Sequence, residues 1–171
     1  MRTLTLFRHA KSSWDDPSLA DFDRPLNPRG RKAAPAMGRH MRKLGLIPDL
    51  VLCSPAVRTR ETARLALGEL GVEPTTEFPE DIYEATAETL LARLQKVPKK
   101  HRHVLLIGHN PGLHDLALGL LANPPAGASG DLAIKMPTAA LTVLACDITK
   151  WSDLTWHSAK LEHYQTPRRL G

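Results

Sequence analysis

Four side chains of this sequence have the chemistry of an anion site: Arg8, His9, Arg58 and His109. An imidazole nitrogen can act as a nucleophile or move a proton, and a guanidinium is a planar fork that matches phosphate oxygens. For Arg8 and His9 taken alone, a surface arginine beside a hydrogen-bonded histidine is the simpler interpretation. Arg58 adds to the case because it lies in the first turn of a predicted helix, where a cation is unfavourable unless an anion shares the site. The four residues therefore predict phosphate chemistry, provided that the fold brings them together.

The elements around these residues follow a repeated pattern. Apolar runs with strand propensity predict β-strands at residues 3–7, 49–53, 75–78, 103–107, 140–148 and 156–164, and amphipathic segments predict helices at 28–44, 55–67, 86–97 and 111–121. Three of the strands end in a cationic or titratable residue that precedes a loop or a proline-started helix. Alternation of strands and helices predicts an α/β fold, a three-layer sandwich with an open, mostly parallel sheet and helices on both faces. Arg8, His9, Arg58 and His109 would then project from the same edge of the sheet.

Three helix starts are predicted from a capping residue followed by proline. These are Asn27-Pro28, Ser54-Pro55 and Asn110-Pro111, in which the first residue is the expected N-cap and the proline the first helical position. A proline inside a helix costs about 3 kcal/mol unless the helix kinks or begins late. Pro35 therefore leaves the start of the first helix open.

Length and composition indicate one ordinary globular domain over residues 1–171, with 42% hydrophobic and 24% charged residues. No apolar run approaches the ~20 residues that a membrane span needs, so we expect no membrane association and a cytoplasmic location. The formal net charge of +5 favours anionic partners. Only 5% of the residues are aromatic, so nucleic acid is not the expected partner.

Four sequence blocks, in order, resemble the histidine phosphatase superfamily, also called phosphoglycerate-mutase-like. They are Leu6-Phe7-Arg8-His9-Ala10-Lys11-Ser12, Arg24-Pro25-Leu26-Asn27-Pro28-Arg29-Gly30, Ser54-Pro55-Ala56-Val57-Arg58-Thr59-Arg60-Glu61-Thr62-Ala63 and Gly108-His109-Asn110-Pro111. Within the superfamily, the chain is most similar to the compact phosphohistidine phosphatases of the SixA type. The resemblance implies a phosphoglycerate-mutase-like fold without a large lid insertion.

The resemblance also implies roles for the four residues. His9 would be the nucleophile that takes the phosphoryl group onto a ring nitrogen, and Arg8 and Arg58 would bind the non-bridging oxygens. His109 would stabilise charge as a proton or hydrogen-bond donor in the in-line transfer. No metal or other cofactor is expected, because these side chains supply the positive charge and the donors.

The general acid is the open assignment. In larger family members a carboxylate after the third strand protonates the leaving group, and Glu84 is the nearest match, with Glu80 and Asp81 as alternatives. Asp15 or Asp16 can also be considered as the proton source, and Glu84 can equally be a surface residue of the loop. An imidazole leaving group, with a pKa near ~6.5, lessens the need for any acid.

Architecture favours a phosphatase over a mutase. A mutase must keep its phosphoenzyme dry, which requires a lid, and the segment between residues 78 and 103 has room only for a loop and one helix. The expected partner is therefore a phosphorylated protein bearing phosphohistidine, or a small phosphate ester. The alternatives are a small-molecule phosphomonoesterase of the same fold and a non-catalytic phosphate-binding module. The sequence indicates no oligomeric state.

Overall fold

The computed structural model describes the whole chain, Met1–Gly171, as one six-stranded sheet with helices on both faces. The strands are β1 (Arg2–Arg8), β2 (Leu50–Cys53), β3 (Thr75–Glu77), β4 (His103–Gly108), β5 (Leu141–Cys146) and β6 (Ala159–Gln165). The helices are α1 (Pro28–Lys43), α2 (Val57–Leu67), α3 (Ala87–Gln95), α4 (Gly112–Leu120) and the short α5 (Pro167–Leu170). The predicted strands and the four longer helices are all present, with ends that differ by a few residues.

The sheet has the strand order β3-β2-β4-β1-β5-β6. The strands β3, β2, β4 and β1 pair in parallel, whereas β5 pairs antiparallel with both β1 and β6. The predicted open and mostly parallel sheet is therefore confirmed. Because β1, β2 and β4 are parallel neighbours, their carboxyl ends lie at one edge, as an α/β binding site requires.

Side chains that alternate along β4 supply both faces of the core. Val104 and Leu106 pack with helices α3 and α4, and Leu105 and Ile107 pack with helices α1 and α2. All four side chains are fully buried, which explains why this strand is a continuous apolar run rather than an alternating one. The predicted three-layer sandwich is confirmed, and no large insertion covers the carboxyl edge of the sheet.

Helix starts differ from the prediction at two of the three sites. Asn27 caps α1 as predicted, since its side chain accepts a hydrogen bond from the Gly30 amide at 2.8 Å, and the helix runs from Pro28 through Pro35. The prediction that Ser54 caps α2 is wrong: Ala56 is the N-cap and the helix begins at Val57.

The third start is displaced by one residue. Helix α4 begins at Gly112 with Pro111 as its cap, so the prediction that Asn110 is the cap is also wrong. Its side-chain amide donates instead to the carbonyl oxygen of Met136 at 2.8 Å. The physical reason is the same for Ser54 and Asn110. The Ser54 hydroxyl forms a hydrogen bond with His109 and the Asn110 amide with Met136, and these tertiary contacts compete with capping of the helix.

Candidate functional site

The carboxyl ends of β1, β4 and β2 bring the predicted residues together. Arg8 is the last residue of β1 and pairs with Gly108, and the His9 amide donates to the Gly108 carbonyl oxygen at 3.1 Å. The rings of His9 and His109 lie with their centroids 5.3 Å apart. Arg58 reaches the same place from the first turn of α2, since it shares the Asp21 carboxylate with the Tyr83 hydroxyl and the Tyr83 ring packs against His109. The predicted clustering of the four side chains is therefore present in the structure.

His9 is held in one tautomer by its own backbone. The side chain is buried, and Nδ1 lies 2.7 Å from the carbonyl oxygen of Ala10, to which it can only donate a hydrogen bond. The proton is therefore on Nδ1, and Nε2 carries a lone pair and has no hydrogen-bond partner within the chain. Burial, together with the charges of His109, Arg8 and Arg58, lowers the pKa of His9 to about 3. His9 is thus neutral and nucleophilic at pH 7.

The two arginines are anchored through their terminal nitrogens, and Nε of each has no partner. Arg8 donates from Nη1 to the Met136 carbonyl oxygen at 3.1 Å, and Arg58 donates from Nη1 to the Asp21 carbonyl oxygen at 2.8 Å. In both guanidinium groups Nε is buried and has no partner within the protein. Burial and then the Arg58 charge lower the pKa of Arg8, so the two cations share one site. Such a pair of fixed, partly unsatisfied forks is suited to an anion with several oxygens.

His109 is positioned by Ser54. His109 Nε2 lies 2.7 Å from the Ser54 hydroxyl, which also accepts a hydrogen bond from the Ala56 amide at 3.3 Å. The buried hydroxyl proton has only Nε2 as an acceptor, so we assign the ring proton of His109 to Nδ1. That Nδ1 is buried and has no partner in the protein. Burial, followed by the Arg58 charge, lowers the pKa of His109 to about 4, so it is a neutral hydrogen-bond donor at pH 7.

Asp21 is part of the site, although the sequence did not identify it as a site residue. Its carboxylate accepts hydrogen bonds from Arg58 at 3.0 Å, from Arg24 at 3.1 Å and from the Tyr83 hydroxyl at 2.6 Å. The Tyr83 hydroxyl and then Arg58 and Arg24 lower the pKa of Asp21 to about 2. The ring of Tyr83 in turn packs edge-on against His109, with centroids 5.4 Å apart. The only sequence signal was indirect: Arg58 lies in the first turn of a predicted helix, where a cation favours a nearby anion.

The five carboxylates considered as general acids occupy different environments. Asp81 forms an ion pair with Arg93 of α3 at 2.7 Å, and Asp16 accepts hydrogen bonds from Ser18, which lower the pKa of Asp16. Glu80, Asp15 and Glu84 are exposed and form no ion pair within the chain.

Glu84 is distinguished from the other carboxylates by its surroundings. It follows Tyr83 directly and lines a groove together with Asn110, the residue after His109. The backbone of Glu84 has φ of 54°, a left-handed conformation that is uncommon for a residue with a side chain. Such strain is found at functional sites when the surrounding structure maintains it.

No three His, Cys, Asp or Glu side chains of the chain are grouped so that they could hold a metal ion. None of the helices is long and apolar enough to span a membrane.

Comparison with known proteins agrees with this architecture of a phosphoglycerate-mutase-like α/β sandwich. The model of the histidine phosphatase superfamily, branch 1, matches residues 4–84. An uncharacterized protein of Mycobacterium tuberculosis is 32% identical over 163 residues, which cover 94% of this chain and 99% of the relative. An uncharacterized chloroplastic protein of Arabidopsis thaliana is 33% identical over 161 residues, covering 89% of this chain and 70% of the relative. The chain belongs to the histidine phosphatase superfamily.

Solved structures extend the similarity to nearly the full chain. The proposed phosphohistidine phosphatase SixA from Nakamurella multipartitia is 32% identical, with a TM-score of 0.80 and coverage of 97% of this chain and 96% of the other. The corresponding SixA protein from Agrobacterium tumefaciens is 26% identical, with a TM-score of 0.78 and coverage of 97% and 99%. Both similarities confirm the SixA-type resemblance inferred from the four sequence blocks.

Proposed function

We propose that this protein is a metal-independent phosphatase that hydrolyses phosphohistidine on a protein substrate, or a phosphomonoester, through a phosphohistidine intermediate on His9. The observation that carries the proposal is the state of His9. Its Nδ1 proton is bound by the Ala10 carbonyl oxygen, and the free Nε2 is neutral at pH 7 and lies beside two guanidinium groups. A neutral imidazole nucleophile next to fixed cations is what phosphoryl transfer to nitrogen requires.

The reaction follows in two displacements. In the first, the Nε2 lone pair of His9 forms a bond to phosphorus, and the bond to the leaving imidazole nitrogen or ester oxygen breaks with its electron pair. Arg8 and Arg58 bind the equatorial oxygens with their Nε–H groups, which have no protein partner, and His109 donates from Nδ1. In the second, water attacks phosphorus, the bond to Nε2 breaks, and the electron pair returns to His9 as phosphate leaves.

Glu84 is the proposed proton donor for poor leaving groups. It is exposed at the rim, adjacent in sequence to Tyr83, which packs on His109, and no basic side chain pairs with it. Asp81 is the least suited alternative because Arg93 binds its carboxylate. A phosphohistidine ring protonated at its other nitrogen leaves as neutral imidazole and needs little assistance, so Glu84 should matter for an alkyl or aryl ester and hardly at all for phosphohistidine.

A protein substrate is supported by the open surroundings of the site. Trp14 stacks over Arg24 at 3.6 Å and remains 74% exposed, and Phe22 packs edge-on against Tyr83 and is 36% exposed. Exposed aromatic residues at the rim of a catalytic site are typical of surfaces that contact another macromolecule. The name given to the Nakamurella neighbour supports the same substrate class.

The experiment is to trap the intermediate. Purified protein treated with EDTA is mixed with a ³²P-phosphohistidine protein and quenched in alkali, which preserves phosphohistidine. We expect label on His9 of the wild type, and neither label nor turnover with His9→Asn, a loss of about 10,000-fold or more. His157→Asn is the matched control because His157 is exposed and Asn tolerates its φ of 58°.

Two results would contradict the proposal. Turnover that disappears with EDTA and returns with a divalent metal would exclude a metal-independent reaction. A folded protein that binds inorganic phosphate through Arg8 and Arg58, but takes up no label and releases no phosphate, would instead be a phosphate-binding module. Comparing release from p-nitrophenyl phosphate with release from the phosphoprotein separates the protein phosphatase from a small-molecule phosphomonoesterase.

A further inference from the structure

A groove of about 710 Å³ lies between the start of α3 and the exposed side of α4. One end is formed by Asn110 and Pro111, directly after His109, and the other end by Trp156. The groove is therefore continuous in sequence and in space with the proposed phosphate site, yet the chemistry proposed for that site uses none of it beyond Glu84.

The walls depend on two close approaches to glycines of α4. A Cβ atom on Gly112 would lie 1.9 Å from the Ala85 carbonyl oxygen, and a Cβ atom on Gly119 would lie 2.9 Å from the Trp156 ring. Gly112, Asp115 and Gly119 are spaced i, i+3 and i+7, so they lie on one face of the helix. The seven residue-to-residue steps from Gly112 to Gly119 span about 10 Å along the helix axis. The groove thus has a defined floor, one aromatic end and an approximate length.

The groove is negatively charged, whereas the net charge of the protein is positive. Glu84, Glu88 and Asp115 line it, and none of their carboxylates forms an ion pair within the chain, although the formal net charge is +5. Glu88 and Asp115 lie in the first turns of α3 and α4, where the helix dipoles favour them. Two helix N-termini contribute roughly +0.5 charge each, so three carboxylates leave the groove with a charge of about −2.

A separate observation also indicates a ligand that donates hydrogen bonds. Oδ1 of Asn110 is buried and has no hydrogen-bond partner, while Nδ2 of the same side chain is bound to the Met136 carbonyl oxygen. Because Nδ2 fixes the orientation of the amide, Oδ1 is an unpaired acceptor in a residue that lines the groove directly after His109. Trp156 at the other end can accept a cation on its ring face.

We propose that this groove binds a basic segment of the phosphorylated protein, placing a lysine or arginine side chain between Glu88 and Asp115. An extended chain covers about 3.3 Å per residue, so a basic side chain a few residues from the phosphohistidine lies along the groove that begins directly after His109. The site then recognises a dipolar substrate, with phosphate held by cations and a basic side chain held by the carboxylates of the adjoining groove. This inference rests on the proposed function, whose substrate class it refines.

The test uses two phosphohistidine peptides that differ only in having lysine or glutamine three residues from the phosphohistidine. For the wild type we expect a KM about 10-fold lower for the lysine peptide, a preference that weakens at high salt. In the double variant Glu88→Gln/Asp115→Asn the preference should disappear, while hydrolysis of p-nitrophenyl phosphate is unchanged. The matched control is Glu77→Gln/Asp147→Asn, which removes two exposed carboxylates outside the groove and should retain the preference.

Binding of the same peptides without phosphate, measured by fluorescence polarisation, separates this inference from the proposed function. Tighter binding of the lysine peptide that is lost only in the groove variant would support the groove even if no peptide were hydrolysed. Equal affinity for the two peptides, or a lysine preference that survives in Glu88→Gln/Asp115→Asn, would overturn it.

Discussion

Two pairs of histidines lie close together in this protein, and they differ in what fixes their ring nitrogens. In the pair at the sheet edge, His9 is held by the Ala10 carbonyl oxygen and His109 by Ser54, and the two rings are tilted by 52°. In the other pair, His40 of α1 and His163 of β6 are nearly stacked, and their Nε2 atoms lie 2.9 Å from each other.

The comparison shows how a structure specifies a tautomer. Each histidine of the first pair has a third group as its partner, so one nitrogen is fixed and the other is left for a ligand. The hydrogen bond between His40 and His163 can be donated from either ring, so neither tautomer is specified. We therefore expect substitutions in the first pair to lower the rate of the reaction, and substitutions in the second pair to change only the stability of the fold.

Replacing His109 should reduce activity far more than replacing His163, its counterpart in the second pair. In His109→Gln the Nδ1 donor that faces developing charge is lost, and we expect kcat to fall about 100-fold or more. His163→Gln is the matched control and should keep kcat within about 2-fold of the wild type. Steady-state phosphate release measures both. Equal losses in the two variants would show that the pairs do not differ as proposed.

Acid should destabilise the protein through the first pair. The pKa of His9 is lowered to about 3 and that of His109 to about 4, whereas an unfolded histidine titrates near ~6.5. Between these values the unfolded chain binds more protons than the folded one, so the free energy of unfolding falls as the pH falls from 6.5. Each of the two histidines should contribute about 2 kcal/mol of loss between pH 7 and pH 5.

Urea unfolding at pH 7 and pH 5 measures this dependence. The variant His9→Asn should show a smaller difference between the two pH values than the wild type, because it lacks one of the titrating groups. An unchanged difference would mean that His9 is not held neutral. The same lowered pKa values predict that kcat/KM declines below about pH 5, and not at pH 6.5 where a free histidine titrates.

Removing the group that fixes His109 should have an intermediate effect. In Ser54→Ala the Nε2 atom loses its donor, both tautomers become accessible, and we expect kcat to fall about 10-fold. Nitrogen chemical shifts should report a protonated Nδ1 in the wild type and a mixture in the variant. Ser158→Ala, which alters an exposed serine, should change neither quantity. A single Nδ1–H tautomer in Ser54→Ala would refute the role of Ser54.

The contrast between Ser54 and the four predicted residues also shows what a sequence can reveal. Arg8, His9, Arg58 and His109 were predictable because a strand is a local pattern and its exit point in a parallel sheet determines where the next side chains lie. Ser54 was predicted as a helix cap because proline follows it, and only the tertiary contact with His109 reveals its partner.

Asp21 could not be predicted as a site residue from the sequence, because its contacts are also long-range. It is separated from Arg58 by 37 positions and from Tyr83 by 62, and no local pattern links residues so far apart. The family match ends at residue 84, so His109 and the groove along α4 lie beyond it, and the contacts of His109 with Ser54 and Tyr83 are visible only in the folded chain.

The smallest effect is expected at the second pair, where it should appear in stability alone. His40→Ala and His163→Ala should each lower the free energy of unfolding at pH 7 by about 1 kcal/mol, since each removes one partly buried hydrogen bond. If the two rings stabilise the fold mainly through each other, the double variant should lose little more than either single variant, a coupling of about 1 kcal/mol in a double-mutant cycle. Urea unfolding provides the cycle, and phosphate release should be unchanged in all three variants. Additive losses would show that each ring is held by its own surroundings, and reduced turnover would mean that this pair communicates with the sheet edge.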